Sequence, residues 1–356
     1  MKADYWASPG LVLRGSMQDP SVQENVREGD GLVYLMLNLP FLCNYECLKC
    51  CNLLDLPRAN ALSGKNVRLE RDRTTQVIQC ASEAGVKVLV VAGEGEPLVH
   101  PDFIWLLEST VEAGLLPYVF TNGSRSTPEN VELLLNKRAS VIISLDSLDS
   151  AKYRRLTGGE GGGDLKALLE KIASCRSRFR PLIKRCEGIR IGSLAINMVV
   201  NRLNCDEVPQ IKEFCGDDIV FVANEPTRIG LAEKNWRQLY GEQPESPLVG
   251  EAIAKVAATQ RPLGTTSNGA WCAYMRNGLS VSSDGRWITC AYSLETAGGY
   301  SPLDADKLTV NDLVVANKVV MASVEDFYRA NGHHRCILRH PNYRKFVKSL
   351  LGKRKT

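Results

Sequence analysis

The amino-acid sequence predicts an α/β fold, specifically a partial (β/α)6 barrel of the TIM type. Apolar runs rich in β-branched residues recur along the chain, as in VKVLVVAG and ASVIISLDS. The stretches between them have helical spacing and tend to end in glycine or a charged residue, as helices do. Nearly continuous apolar strands that alternate with helices are typical of a parallel sheet covered by helices. Six such units fill residues 32–230.

The order of elements follows from this alternation. Each predicted strand is a short apolar run, and the helical stretches RTTQVIQCASEAG, PDFIWLLESTVEAG, PENVELLLNKRA and GDLKALLEKIASC lie between successive strands. The predicted strands are 32–40, 86–93, 115–123, 139–147, 193–201 and 218–224. Every strand ends in polar, glycine-rich or thiol-bearing residues. Because functional groups lie at the strand ends of parallel β/α folds, we expect one ligand surface there.

Composition and charge narrow the class of protein. The 356 residues are 44% hydrophobic and 24% charged, which is ordinary for a globular chain. No run of about 18 apolar residues occurs and no signal peptide is recognisable, so we expect a cytoplasmic protein without a membrane partner. The net charge of +4 is spread along the chain, and its only visible concentration is the tail KFVKSLLGKRKT, which indicates a solvated end rather than a nucleic-acid contact.

The chain has twelve cysteines, and a reducing compartment favours metal binding or catalysis over disulfides. Five stand singly and are expected to pack in the core: Cys80, Cys175, Cys186, Cys205 and Cys215. Cys43, Cys47 and Cys50 instead follow the first strand with C-x3-C-x2-C spacing, and we expect the adjacent Cys51 to be a packing residue. Structural zinc takes four ligands, and no second cysteine pair follows closely. A four-iron cluster on three cysteines would keep one iron open for another ligand.

The C-x3-C-x2-C motif, together with GEGEP after the next strand, resembles the radical S-adenosylmethionine (SAM) superfamily over about residues 32–225. The resemblance implies that Cys43, Cys47 and Cys50 each bind one iron of a 4Fe–4S cluster, and that SAM chelates the fourth iron. It also implies reductive cleavage of SAM to a 5′-deoxyadenosyl radical, which abstracts hydrogen from a substrate. The electron would come from a reductant such as flavodoxin or ferredoxin.

The same resemblance assigns SAM-binding roles to residues at the other strand ends. One group would cup the methionine ammonium, and a second would bind the ribose hydroxyls and the methionine carboxylate. The first comprises Gly93, Gly95, Glu96 and Pro97, and the second comprises Asn122, Ser144, Asp146 and Asn197 (or Asn201). Turn chemistry would explain each polar residue of the second group equally well. Lys49 departs from the family pattern, because many members have an aromatic residue there.

A second set of cysteines follows the barrel. Cys272, Cys290 and Cys336, with a predicted hairpin in GLSVSSDGRWITC, resemble the twitch and SPASM extensions of the superfamily, which bind auxiliary 4Fe–4S clusters. The resemblance implies one auxiliary cluster, whose fourth ligand is His333, His334 or the substrate. The expected organisation is an N-terminal extension (1–31), a radical SAM partial barrel (32–230) and a small twitch/SPASM-like domain (231–356).

Two substrate classes stay open. The layout of the second cysteine set resembles that of an aminocyclitol dehydrogenase, which favours oxidation of a small polyhydroxylated metabolite, an aminocyclitol or sugar, in natural-product biosynthesis. The alternative is a peptide-modifying maturase that epimerises, crosslinks or oxidises a ribosomal peptide. Only 42 residues precede Cys43, which leaves little room for a leader-binding module. An electron carrier or zinc scaffold would not need six β/α units.

Overall fold

In the computed structural model, the described part of the chain comprises residues 10–27, 31–51, 70–92, 95–158, 163–186, 188–224, 227–241, 249, 251–252, 277–281, 283, 287–288, 290, 308–332 and 342. The predictions for Gly93, Cys272, His333, His334 and Cys336 lie outside the described residues.

Strands and helices alternate through most of the described chain. The strands are β1 (Leu11–Leu13), β2 (Tyr34–Leu37), β3 (Val88–Val91), β4 (Leu116–Thr121), β5 (Ser140–Ser144), β6 (Lys184–Cys186), β7 (Ile189–Gly192), β8 (Leu194–Val199), β9 (Val220–Asn224), β10 (Gly278–Val281) and β11 (Trp287–Ile288). The helices are α1 (Pro20–Arg27), α2 (Arg71–Glu83), α3 (Phe103–Glu112), α4 (Pro128–Asn136), α5 (Ser150–Thr157), α6 (Leu165–Phe179), α7 (Val208–Cys215), α8 (Gly230–Lys234), α9 (Trp236–Tyr240) and α10 (Val310–Asn331).

An eight-stranded sheet forms the centre of the described structure. Its strand order is β11-β10-β2-β3-β4-β5-β8-β9, and neighbouring strands are parallel except for the antiparallel pair β10–β11. The six strands expected from the sequence are β2, β3, β4, β5, β8 and β9, each within its predicted range. The predicted α/β partial barrel is therefore confirmed.

The sheet is buried on both faces. One face packs against the helices through residues such as Leu89 and Ile143. The other, called the inner face below, is closed towards the amino ends of the strands by the N-terminal segment, where Leu13 and Val22 join the apolar cluster of Met36. This double burial explains why the strands read as nearly continuous apolar runs.

Side-chain caps fix where several helices begin. The carboxylate of Asp149 accepts a hydrogen bond from Lys152 N at 2.7 Å at the start of α5, and Asp164 caps α6 in the same way. Asp and Asn are preferred at this position because they satisfy a backbone N–H that lacks a helical partner. The caps therefore fix the chain direction directly after the strand-end loops.

The C-terminal part of the described chain joins the central sheet. β10 pairs with β11 as the predicted hairpin, which is confirmed, and β10 also lies parallel to β2. Asn317 Nδ2 on α10 donates to Gly278 O at 3.0 Å, and Cys80 Sγ on α2 donates to Leu308 O at 3.4 Å. The division at residues 31 and 230 stays a prediction.

The singly placed cysteines occupy different environments. Cys175 and Cys215 are buried, and Cys80 and Cys205 are partly buried against the core, as predicted. For Cys186 the prediction was wrong, because β6 lies in a small separate sheet with β7 and β1 and leaves this side chain exposed. No helix among the described residues is long and apolar enough to span a membrane.

Candidate functional site

The three motif cysteines lie on one loop that follows β2. Residues 43–51, called the cysteine loop below, contain neither helix nor strand. A turn closes the loop, with Cys50 N donating to Cys47 O at 3.0 Å, and Tyr45 N donates to Cys43 Sγ at 3.5 Å. Burial raises the pKa of the Cys47 thiol, and the thiols of Cys50 and Cys43 act in the same direction.

Helices on the outer side of the barrel hold the cysteine loop in place. Leu48 N donates to Leu156 O of α5 at 3.0 Å, and Ala232 N of α8 donates to Cys50 O at 2.9 Å. These are backbone hydrogen bonds, so they do not depend on which side chains the loop carries. The position of the loop backbone is therefore set by its hydrogen bonds to α5 and α8 rather than by its own side chains.

The loop after β3 approaches the cysteine loop closely. Glu96 N donates to Leu42 O at 2.7 Å, and Gly95 has a φ of +73°. A Cβ at Gly95 would lie 2.8 Å from Leu42 N and closer still to Leu42 O. Glycine is therefore required at Gly95 both by its backbone conformation and by the adjacent backbone of residue 42. Pro97, the next predicted residue, is buried in a 3₁₀ turn.

The carboxylate of Glu96 is a buried hydrogen-bond acceptor between strand ends. Its Oε1 accepts from Thr121 Oγ1 at 2.6 Å and from Leu98 N at 3.1 Å, and its Oε2 accepts from Asn122 N at 2.5 Å. Burial raises the pKa of Glu96 to about 7, and these three hydrogen bonds oppose that rise. A carboxylate offers about four acceptor positions, so one remains for a ligand's donor.

Asn122 connects the end of β4 to the cysteine loop. Asn122 Nδ2 donates to Asn44 Oδ1 at 3.0 Å, and Asn44 Nδ2 donates to Ser124 Oγ at 2.9 Å. Burial raises the pKa of the Cys43 thiol, and a hydrogen bond from the Asn122 side chain offsets part of that rise. The structure thus brings Cys43, Glu96 and Asn122 together, as the sequence predicts.

Asp146 is paired with Lys49 of the cysteine loop. Lys49 Nζ donates to Asp146 Oδ2, and the side chains are 10% and 2% exposed, respectively. Asp146 Oδ1 also accepts from Val199 N at 3.0 Å. Removing one partner of a buried ion pair leaves a buried charge without compensation, at a cost of about 3–5 kcal/mol. The pair therefore joins the loop to the ends of β5 and β8.

The inner face of the sheet changes from apolar to polar at the carboxyl ends of the strands. Ser144 and Asn197 face each other across β5 and β8, and Asn224 Nδ2 donates to Asn197 Oδ1 at 2.6 Å. Side chains two residues apart on a strand share a face, so Asn197 and Asn224 lie on the same side as the buried Ala195 and Val222. Sequence reasoning did not identify Asn224. Continuing the period-2 pattern to the end of that apolar run would have found it.

Asn201, the alternative to Asn197, is used within its own turn. Its Oδ1 accepts from Leu203 N at 2.9 Å, and its Nδ2 donates to Val199 O at 3.1 Å. Asn197 lies on the inner face instead, opposite Ser144. The choice between Asn197 and Asn201 as a ligand-binding residue stays a prediction.

The donor set of the cysteine loop fits an iron–sulfur cluster, because such clusters are held by cysteine thiolates. Within the described residues, no group of three or more His, Cys, Asp or Glu side chains is close enough to hold one metal ion. Thiolates on a cubane each bind a different iron and therefore stand farther apart than ligands of one ion. Cys290 is half-buried, and its predicted co-ligands Cys272 and Cys336 lie outside the described residues.

A family model described as the radical SAM superfamily matches residues 37–192. The chain contains a radical SAM domain. The match begins at the last residue of β2, includes the cysteine loop and the loop after β3, and ends at the last residue of β7. The family implies a 4Fe–4S cluster and SAM as cofactors of such a domain, in agreement with the donor set of the cysteine loop.

Relatives of the radical SAM domain support this assignment. A GTP 3′,8-cyclase of Marinobacter nauticus is 27% identical over 215 residues, which are 58% of each chain. A PqqA peptide cyclase of Granulibacter bethesdensis is 27% identical over 180 residues, 50% of this chain and 42% of that one. The chain thus spans about half the length of these relatives. The fold is similar to that of Streptococcus suis SuiB bound to SAM, with a TM-score of 0.55, 15% identity, and coverage of 80% of this chain and 68% of that one.

Replacing Gly95 by alanine should disturb the site more than replacing an unconstrained glycine. Gly85 also has a positive φ, +94°, but a Cβ there would meet nothing within 4 Å. Gly85→Ala should lower the free energy of unfolding by about 1–2 kcal/mol, the cost of the left-handed conformation alone. Gly95→Ala adds the clash with Leu42 and should lower it further, with weaker iron retention after reconstitution. Urea denaturation and iron analysis measure both, and equal losses for the two variants would contradict the close approach.

Glu96 should make the free energy of unfolding decrease as the pH rises from about 4.5 to 7. Burial raises its folded pKa to about 7, above the ordinary 4.5, so the folded state binds more protons between these values. The contribution of Glu96 to the free energy of unfolding is therefore fully present below about pH 4.5. It is lost as the pH rises towards 7, and it does not change further above that pH. Glu96→Gln cannot titrate and should lack this decline. Urea denaturation of both proteins from pH 5 to 8 measures it, and parallel curves would refute the raised pKa.

Proposed function

We propose that this chain is a radical SAM enzyme whose Cys43, Cys47 and Cys50 hold a 4Fe–4S cluster. The observation that carries the proposal is the attachment of the cysteine loop to the two neighbouring strand ends. Asn122 contacts this loop through Asn44, and Glu96 contacts Leu42, the residue directly before it; both Glu96 and Asn122 are predicted to bind SAM. Residues for the cluster and residues for SAM therefore form one continuous site at the carboxyl edge of the sheet.

The chain's own residues would bind and orient SAM beside the cluster. The remaining acceptor position of Glu96, with Gly93 and the Gly95 backbone, suits the methionine ammonium, because a carboxylate attracts a cation. Ser144, Asn197 and the Asp146 region suit the ribose hydroxyls and the methionine carboxylate. When bound, the cluster would supply the electron that cleaves SAM to a carbon radical.

Each cysteine of the motif should be required for SAM cleavage. Cys43→Ala, Cys47→Ala or Cys50→Ala removes one iron ligand, so each variant should lose 5′-deoxyadenosine formation with dithionite by about 100-fold or more. Cys51→Ala is the matched control, since it removes a thiol from the same loop and should retain activity. Anaerobic reconstitution followed by chromatography measures the product. Wild-type product from any of the three variants would refute the proposed ligand set.

For the substrate, we propose oxidation of a small polyhydroxylated metabolite such as an aminocyclitol or sugar. Support comes from the relative named GTP 3′,8-cyclase, whose name indicates a small molecule that contains a sugar. The relative named PqqA peptide cyclase favours the alternative, a peptide-modifying enzyme. Substrate-dependent stimulation of 5′-deoxyadenosine formation by sugars and aminocyclitols, but not by peptides, would separate the two. We place this reaction in the cytoplasm, where small electron carriers are present.

We further propose an auxiliary 4Fe–4S cluster held by Cys272, Cys290 and Cys336, with His333 as its fourth ligand. The sequence spacing supports it, and Cys290 lies two residues after the end of β11, whose partner β10 pairs with β2. Two clusters predict about eight irons per chain, and about four in a triple alanine variant of the motif cysteines. Iron analysis after reconstitution measures both, and about four irons in the wild type would rule the auxiliary cluster out.

A further inference from the structure

We propose that a groove on the outer side of the cysteine loop is the docking surface for a small acidic electron-carrier protein. The proposal rests on the proposed function, because only a chain that cleaves SAM reductively needs such a donor. It adds the place where the donor binds and the charges that attract it.

The groove lies between the cysteine loop, α5 and α9. It is open to solvent and has a volume of about 860 Å³. Glu46 and Leu48 of the loop form one side, Arg154 and Arg155 of α5 another, and Gln238 of α9 the third. A molecule in this groove would touch the loop on both sides of Cys47.

The groove shares its wall with the thiol-bearing segment. Leu48, which lines it, is bound through its backbone to Leu156 of α5, and the backbone of Glu46 would lie 3.1 Å from a Cβ at Gly158. Glu46 and Leu48, two of the lining residues, are the chain neighbours of Cys47. Because electron transfer slows steeply with distance, a donor protein gains by docking beside this segment.

Basic residues surround the groove. α5 carries Lys152, Arg154 and Arg155 and no acidic residue, and both arginines are exposed. Residues 227–241 carry three basic residues and one acidic residue. Glu46 is the only acidic side chain among the lining residues that the structure describes. A positive surface of this kind attracts an acidic partner and speeds its association.

The two arginines differ from the neighbouring lysine. Lys152 donates to Asp206 at 2.8 Å and lies 3.0 Å from Glu207, so its charge is already neutralised. With the amide of Gln238 turned so that its oxygen faces Arg155, the guanidinium donates to it at 2.7 Å (Nη2) and 3.0 Å (Nε). This contact orients the guanidinium without cancelling its charge. The arginines therefore supply the positive charge of the groove.

The redox step at this surface balances with one electron. A reduced flavodoxin-type or ferredoxin-type protein loses one electron on each docking event. Reductive cleavage of SAM consumes one electron as its carbon–sulfur bond breaks and methionine leaves. No proton or chemical group has to pass through the groove.

The experiment compares two double charge reversals in the reconstituted enzyme. Arg154→Glu/Arg155→Glu changes the groove, and Lys184→Glu/Arg185→Glu changes the charge by the same amount on the exposed strand β6, near the amino ends of the strands. Binding of a recombinant bacterial flavodoxin is measured by calorimetry at two salt concentrations. 5′-Deoxyadenosine formation is measured with dithionite and with flavodoxin reduced by NADPH and its reductase.

The groove variant should bind flavodoxin about tenfold more weakly at low salt and lose a similar factor in flavodoxin-driven cleavage. Its dithionite-driven cleavage should stay at the wild-type level, because dithionite needs no docking surface. The β6 variant should behave like the wild type in every assay, and Arg154→Lys/Arg155→Lys should keep flavodoxin binding. Unchanged flavodoxin binding by the groove variant would overturn the proposal.

Carbodiimide crosslinking of flavodoxin carboxylates to the wild-type enzyme gives a second measurement, which needs no substitution. Crosslinks to Lys152, on the helix α5 that lines the groove, support the proposal, and crosslinks confined to Lys184 refute it. If the wild type forms no 5′-deoxyadenosine even with dithionite, the proposed function fails. Binding and crosslinking then still decide whether the groove is a docking surface.

Discussion

The buried carboxylate of Glu96 is the interaction on which the rest of the site depends. It accepts from the end of β4 and from its own 3₁₀ turn, while its backbone N–H reaches the residue before Cys43. Burying a carboxylate is unfavourable unless several donors satisfy it, so the surrounding backbone has little freedom to rearrange. One side chain thereby fixes the mutual position of the cysteine loop and two strand ends.

The parallel sheet places a second constraint on the site. Its strands are buried on both faces for most of their length, so polar groups that serve a ligand are accommodated only at the last inward-facing positions. Asn197 and Asn224 illustrate how such groups are satisfied, since each amide is bound to the other across adjacent strands. Hydrogen bonding between neighbours keeps these side chains ordered and leaves their remaining donors and acceptors for a ligand.

Local patterns in the sequence were sufficient to predict the strands and the cysteine loop. Apolar runs gave all six barrel strands, and the cysteine spacing located the loop at the end of β2. The contacts between distant segments could not be read in this way. Lys49 departed from the family pattern in the sequence, and only the fold shows that its charge meets Asp146. Nothing local to β10 indicates that it pairs with β2, and the exposure of Cys186 depends on a small sheet assembled from three separate segments.

The pairing of β10 with β2 has a consequence for how the chain is made. On the ribosome, β2 emerges early and finds β3 soon afterwards, but its other edge has no partner until residues 278–281 appear. An apolar edge strand is an aggregation hazard in a nascent chain. The strand that leads into the cysteine loop thus acquires its second neighbour late in synthesis. The proposed iron–sulfur cluster would accordingly be assembled on that loop only after β10 has been synthesised and has paired with β2.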